Sequence, residues 1–236
     1  MEKREKSWIP LEGNPKVFTE YAEKLGCPTL MFKFHDVFGL DDDVWSAMIP
    51  QPVQAVILLY SIKKQHNDFI ARQEKPEITA DSPFFVKQKI HNACGTIALL
   101  HALLNSPSII ENLRDTSFLQ EFYFINQTTT PDQRADHLNN DEKLEETHQT
   151  AALAGDTQVH DDTQCHFVTY IQKDGFIWEM DGRLTAPVKR NKIEEGQNLG
   201  IEASKIIKEY MEMSGSGDIK FSVMAVAPNL GDMDFY

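Results

Sequence analysis

The chain has 236 residues, is 41% hydrophobic and carries a formal net charge of −13 at pH 7. That length and apolar content are enough for a continuous core, while the acidic balance argues against a nucleic-acid surface and favours basic partners. No apolar run approaches the roughly 20 residues that cross a bilayer, and the Met-Glu-Lys-Arg-Glu-Lys start has no apolar signal core behind it, so a cytoplasmic protein without membrane contact is expected.

The elements follow in chain order. Asn14-Pro15 opens a helical apolar stripe that stops at Gly26, with Asn14 as the cap and the proline in the first turn. A short helix begins in Asp41-Asp42-Asp43, whose charges complement its dipole, and ends near Pro50. Residues 53–60, Val-Gln-Ala-Val-Ile-Leu-Leu-Tyr, read as a buried central strand whose neighbours come from later in the chain. Residues 95–105 are apolar on nearly every side, as expected of a helix inside a domain, and residues 118–126 form another. The polar stretch 132–148 can be helical. Residues 147–164 lack either period and are expected to form a long loop. Residues 166–172 and 176–181 are two strands flanking Lys173-Asp174-Gly175, a hairpin signal. A helix over 199–213 and a strand over 219–227 complete one mixed α and β domain, with no internal repeat and no linker.

The three cysteines, Cys27, Cys94 and Cys165, form no Cys-x-x-Cys pair, so free thiols are expected, with no disulfide framework and no cofactor. A metal site from Cys94, Cys165, His160 and His166 is disfavoured, because adjacent strand residues point to opposite faces. Cys94 instead heads the apolar helix in Gln-Lys-Ile-His-Asn-Ala-Cys-Gly-Thr, residues 88–96. A thiol attacks as thiolate, and a helix N-terminus favours negative charge. The plainer reading of such a cysteine is a small buried apolar residue.

A nucleophilic cysteine needs a base, and the base a third group that fixes its tautomer. His166 opens the first strand of the hairpin and Asp181 closes the second, so antiparallel pairing sets them alongside each other. Taken singly, a strand-end histidine and a turn aspartate are ordinary. Gln88 can donate to the oxyanion of a tetrahedral intermediate. His91 remains a rival base, whereas His101 lies about 10 Å along the helix from Cys94, beyond hydrogen-bond reach.

Residues 132–164 concentrate the acidity. They hold Asp132, Asp136, Asp141, Glu142, Glu145, Glu146, Asp156, Asp161 and Asp162 against Arg134 and Lys143, and so carry −7 of the −13.

With these residues in place, the sequence resembles the ubiquitin C-terminal hydrolases, papain-like cysteine proteases of the short, single-domain type. The resemblance rests on Gln88 with Asn92-Ala-Cys-Gly-Thr96, on His166-Phe167 and on Glu179-Met-Asp-Gly-Arg183, and extends to Trp8-Ile-Pro-Leu-Glu-Gly-Asn-Pro15 and to residues 50–59. It implies one catalytic domain over residues 1–236. Its fold class would be mixed α/β (α+β), papain-like, with a central, mainly antiparallel sheet enclosed by helices and a knotted backbone. It further implies Cys94 as nucleophile, His166 as base and acid, Asp181 as orienting carboxylate and Gln88 as oxyanion donor. The segment 147–164 would cross over the active site and limit leaving groups to small adducts or short peptides. Ubiquitin contacts are implied at Pro10, Leu11, Glu12, Gly13 and Asn14. Further contacts are implied at Ala152, Leu153, Ala154, Gly155, Asp156, Thr157, Gln158 and Val159, and at Lys220, Phe221 and Ser222.

Ubiquitin's Arg-Leu-Arg-Gly-Gly tail gives the acids a use, since Asp156 can pair with an arginine. The neddylation modifier, which also ends in Gly-Gly, is an alternative substrate. The chain stops soon after its last strand, so a free-standing monomeric enzyme is expected. Two other readings stand beside this one, an idle ubiquitin-binding scaffold and a papain-like acyltransferase. Two residues depart from the family pattern, Met180 where leucine is usual and Cys165 where leucine or another apolar residue is common. The first substitution conserves volume.

Overall fold

The apolar run in residues 53–60 becomes the middle of a six-stranded sheet. The computed structural model describes residues 6–72, 76–156, 164–214 and 221–231. In chain order the elements are α1 (Pro15–Leu25), β1 (Phe32–Asp36), α2 (Asp42–Met48), β2 (Ala55–Ser61), α3 (Lys64–Arg72) and α4 (Cys94–Leu103). They continue with α5 (Pro107–Ile110), α6 (Phe118–Ile125), α7 (Pro131–Asn139), α8 (Glu142–Ala152), β3 (Cys165–Lys173), β4 (Phe176–Met180), β5 (Val188–Lys192), α9 (Leu199–Ser214) and β6 (Phe221–Pro228). The sheet order is β1-β6-β2-β3-β4-β5, and every neighbouring pair is antiparallel. As expected, β2 finds its neighbours, β3 and β6, far downstream.

Each face of the sheet has its own core. Ile57, Phe167, Ile171, Trp178 and Val226 face α1, α4 and the helices from α6 to α8. Val56, Leu58, Tyr60, Val168, Tyr170 and Ala225 face α9 and Trp45 of α2. Strands covered on both sides read as unbroken apolar runs, which is why β2 was legible without alternation. The same holds for α4, buried from Gly95 to Leu103. Among the described residues no helix is long and apolar enough to cross a membrane.

Local signals set the boundaries. Asn14 Oδ1 accepts from the Lys16 and Val17 N–H groups and caps α1. The hairpin turn is tighter than the three residues expected. Lys173 pairs with Phe176, leaving Asp174 and Gly175, both with positive φ (53° and 76°), as a two-residue turn of the kind that matches strand twist.

Four elements were not anticipated. β1 is a five-residue strand, and α3 and α5 are short helices. β5 is an edge strand of sequence Val-Lys-Arg-Asn-Lys, whose charges disguise it and also protect the edge.

The expected loop over 147–164 needs correcting, because α8 continues to Ala152. Leu144, His148, Ala151 and Ala152 form its buried stripe, and the period is hidden because a buried histidine reads as polar. The remainder of the expected crossover falls largely on residues 157–163, which lie outside the described residues. The backbone path for which a knot is implied also runs through them.

Gly200 gives a direct test of this packing. A Cβ there would enter the ring of fully buried Trp45, whose Nε1–H donates to Ser204 Oγ at 2.7 Å one turn further along α9. Gly200→Ala should destabilise by about 1–3 kcal/mol through overpacking, read as a lower urea midpoint with an unchanged m-value. A midpoint equal to wild type would contradict the close approach of α9 to α2.

Candidate active site

Cys94 is the first residue of α4, and Ala93 before it supplies no side-chain cap, so the N–H groups of the first turn point at whatever charge gathers there. The helix is held against the sheet by a buried bond from Thr169 Oγ1 to the Ala98 carbonyl at 2.9 Å. Thr169 lies three residues beyond His166 on β3. This bond therefore fixes the distance between the strand that carries the histidine and the helix that carries the thiol.

His166 Nε2 and Asp181 Oδ1 are 2.8 Å apart. The two residues are diagonal rather than directly opposite, because Met180 pairs with Thr169 and the extension of that ladder sets Asp181 opposite Val168. A two-residue offset keeps both side chains on one face of the sheet. With Nε2 engaged, Nδ1 is the nitrogen left to face Cys94, whose sulfur lies near enough to favour the charged ring.

Burial of His166 opposes its charge, yet the Asp181 carboxylate and the Cys94 sulfur outweigh that penalty and push the imidazole up to about 9. Asp181 is itself fully buried. Burial alone would raise its carboxyl, but His166 and Arg183 hold it well below the usual carboxylate range. Arg183 donates its backbone N–H to Oδ1 at 2.9 Å and its Nη2 to Oδ2 at 2.7 Å, and a further N–H from Nη2 reaches Tyr60 Oη at 2.9 Å. Tyr60 in turn sets its ring edge-on to His166.

Such an arrangement can supply a nucleophilic sulfur, an acid that returns a proton to a leaving group, and a base for water. Thr169, Arg183 and Tyr60 were not singled out from sequence. Arg183 was at least flagged by its place two residues after the aspartate. Thr169 and Tyr60 are ordinary strand residues until the register is known.

The remaining expected residues fall as follows. Gln88 is tied to the Asp181 segment by its backbone N–H, which donates to the Gly182 carbonyl at 2.8 Å. Its side-chain Nε2 donates to the Ile90 carbonyl at 3.1 Å, and its Oε1 is buried with no partner among the described residues. His91 is exposed and joined to the N-terminal segment through its backbone, its carbonyl accepting from the Trp8 N–H at 2.9 Å. His101 is buried in α4, stacked on Phe85 and bonded to the backbone of Val86. Cys165 Sγ lies 3.8 Å from Ser61 Oγ.

The three implied contact segments converge. Leu11 lies against Gly95, where a Cβ would come within 2.9 Å of its side chain, and Glu12 lies against Gly155. Gly13 accepts at its carbonyl from Ser222 Oγ at 3.2 Å. Asn14 is occupied as the α1 cap, and Pro10 is half-buried. Ala152 ends α8 and is buried, whereas Leu153 is 67% exposed beside Ala154, Gly155 and Asp156. Thr157, Gln158, Val159 and Lys220 lie outside the described residues. Phe221 and Ser222 border an apolar groove of about 620 Å³ that runs past Phe38 and Met211.

Part of the acidic excess is spent internally. Asp132 and Asp136 pair with Lys87 and Lys89, and Glu145 pairs with Lys6 at 2.7 Å.

A family model described as ubiquitin carboxyl-terminal hydrolase, family 1, matches residues 8–212. Ubiquitin carboxyl-terminal hydrolase 3 of Arabidopsis thaliana is 37% identical over 225 residues, covering 94% of each chain. The ubiquitin carboxyl-terminal hydrolase of Drosophila melanogaster is 33% identical, covering 93% of this chain and 97% of the relative. Isozyme L1 of Rattus norvegicus is 31% identical, covering 92% of this chain and 96% of the relative. Among solved structures, the catalytic domain of Trichinella spiralis UCH37 bound to ubiquitin vinyl methyl ester superposes with a TM-score of 0.78 at 25% identity, over 95% of this chain and 96% of that one. A sheet-borne histidine and aspartate facing a helix-borne cysteine are thus found in a chain that matches these relatives over nearly its whole length, and the chain belongs to the ubiquitin carboxyl-terminal hydrolases, family 1.

Proposed function

We propose that the protein is a thiol hydrolase that cleaves small adducts or short peptides from the C-terminal glycine of ubiquitin, with residues 1–236 forming one catalytic domain. The observation that carries this reading is the buried His166, held by Asp181 at 2.8 Å and with its positive charge favoured by the sulfur of Cys94.

In the first half-reaction the Cys94 sulfur attacks the carbonyl carbon of the terminal glycine. A C–S bond forms and the carbonyl π electrons move to oxygen. The oxyanion develops beside the N–H groups of the first turn of α4, and the Gln88 amide, which has a second N–H besides the one given to Ile90, serves as a further donor. Collapse of this intermediate breaks the bond to the leaving group, which takes the proton of the His166 imidazolium. In the second half, neutral His166 removes a proton from water as that water attacks the thioester. Collapse of the second intermediate breaks the C–S bond and restores thiolate and imidazolium, and the carboxylic acid formed loses its proton to solvent and leaves as the carboxylate. Asp181 keeps the ring oriented and stabilises its charge throughout, without itself taking the proton.

Docking of ubiquitin rests on the converging segments around Leu11, Glu12, Gly155 and Ser222, with the apolar groove beside Phe221 extending that face. Asp156 is the described acid best placed, by its position after α8, to meet an arginine of the tail. The contact of Gly155 with Glu12 tethers the base of the crossover and supports selection for small leaving groups. The neddylation modifier stays an alternative substrate, and a monomer is the working assembly.

Cys94→Ala should lower the turnover of a ubiquitin adduct with a fluorescent leaving group by several orders of magnitude while ubiquitin still binds. A ubiquitin C-terminal electrophile should modify Cys94 and leave Cys27, buried with its thiol pushed up to about 12, and Cys165 untouched. Substantial turnover by Cys94→Ala would reject the assignment.

His166→Asn should be nearly inactive, and His91→Asn should keep most activity, because only His166 has a carboxylate partner among the described residues. The opposite order in the same assay would transfer the role of base to His91.

A further inference from the structure

His148 is fully buried in the last turns of α8, and its two ring nitrogens have different partners on two other segments. Nε2 lies 2.7 Å from the carbonyl oxygen of Ile9, which can only accept, so Nε2 carries the proton. Nδ1 is therefore an acceptor and takes the hydroxyl hydrogen of Thr96 at 2.7 Å. The Thr96 oxygen in turn accepts from Tyr21 Oη at 3.0 Å. Every proton in this chain has one possible place. The ring is also held by Trp8, with centroids 4.4 Å apart, and by the edge of Tyr21. Burial pushes the imidazole down to about 4, so the ring is neutral in any ordinary buffer and the pattern of donors persists.

The three segments so joined surround the thiol. Ile9 leads directly into Leu11, packed on Gly95 next to Cys94, and into Glu12, packed on Gly155. Thr96 lies two residues beyond Cys94. Four residues after His148, α8 ends at the base of the crossover. None of the catalytic groups is touched by this imidazole among its described contacts.

We infer that His148 is a positioning residue for substrate docking. By holding the Ile9 carbonyl and the Thr96 hydroxyl at once, it sets the spacing between the N-terminal segment, the nucleophile helix and the base of the crossover, and so shapes the channel that ubiquitin's tail must enter. This inference rests on the proposed ubiquitin hydrolysis and on the contact segments named with it.

The test compares His148→Leu, which removes both hydrogen bonds, with His148→Gln, whose amide retains an acceptor for Thr96 and a donor for Ile9. Steady-state hydrolysis of a ubiquitin adduct with a fluorescent leaving group is read beside the rate at which iodoacetamide alkylates Cys94, with near-UV circular dichroism as the check on folding. His148→Leu should raise KM by about tenfold with kcat within about threefold of wild type, the effect of a misplaced contact rather than a damaged triad. His148→Gln should recover most of that KM. Alkylation of Cys94 should be the same in all three proteins.

If His148→Leu does not fold, His148→Gln together with Thr96→Val, which withdraws only the donor to Nδ1, gives the same readout, with a smaller rise in KM expected for Thr96→Val. An unchanged KM in the variant that loses a bond overturns the inference, and so does a fall in Cys94 alkylation that parallels the loss of activity. Failure of the wild-type protein to hydrolyse the ubiquitin adduct would overturn the proposed function and this inference with it. Normal wild-type turnover with an unmoved KM overturns the inference alone.

Discussion

A carboxylate removed from water must be met by donors, and Asp181 is a fully buried carboxylate on which the site depends. Its oxygens accept from His166 Nε2 and from both the backbone and the guanidinium of Arg183. Removing one donor would leave charge unpaired in a low-dielectric interior, where the penalty is largest. The arrangement therefore has little freedom, and that rigidity fixes the orientation of the imidazole. Arg183 is fixed in its turn by Tyr60 on β2, so the middle of the sheet determines where the carboxylate's second partner sits.

The fold delivers these groups through two layers of constraint. Backbone pairing between β3 and β4 sets the diagonal between His166 and Asp181 to within the pleat of the sheet. A side-chain bond from Thr169 to Ala98 then fixes α4 against β3, and with it the position of Cys94. Both constraints lie in the interior. The segments that would touch a macromolecular substrate are arranged differently, as a short N-terminal stretch wedged between α4, the end of α8 and the start of β6. Small residues at positions 95 and 155 make that wedge possible.

Much of this was legible in the residues, for reasons that differ by element. α1 announced itself because cap, first-turn proline and terminal glycine all act locally, and β2 and α4 did so because burial on all sides leaves nearly unbroken apolar runs. Cys94 stands out by its place at the head of an apolar helix, and His166 and Asp181 are paired because the Asp-Gly turn nearly fixes the register of the hairpin. The exact offset was not legible, since one residue in the turn length changes which positions face each other. α8 was cut short because buried His148 counts as polar until its partners, Thr96 and Ile9, are seen. β5 was hidden by its charges. Thr169 and Tyr60 have roles that exist only once distant strands and helices meet, and no local pattern carries that information, whereas Arg183 binds the aspartate two residues before it.

Reactivity at this site turns on the ionic state of one ring. Nitrogen and proton resonances of the His166 imidazole, followed by NMR from pH 5 to 10.5, measure it directly. A positive ring stabilised by Asp181 and Cys94 should stay protonated through neutral pH and lose its proton near pH 9, with the midpoint moving down in Cys94→Ala as the sulfur's share is withdrawn. A midpoint at or below the ordinary histidine value of about 6.5, unaffected by Cys94→Ala, would mean that burial outweighs the carboxylate and that thiol and imidazole do not act as a pair.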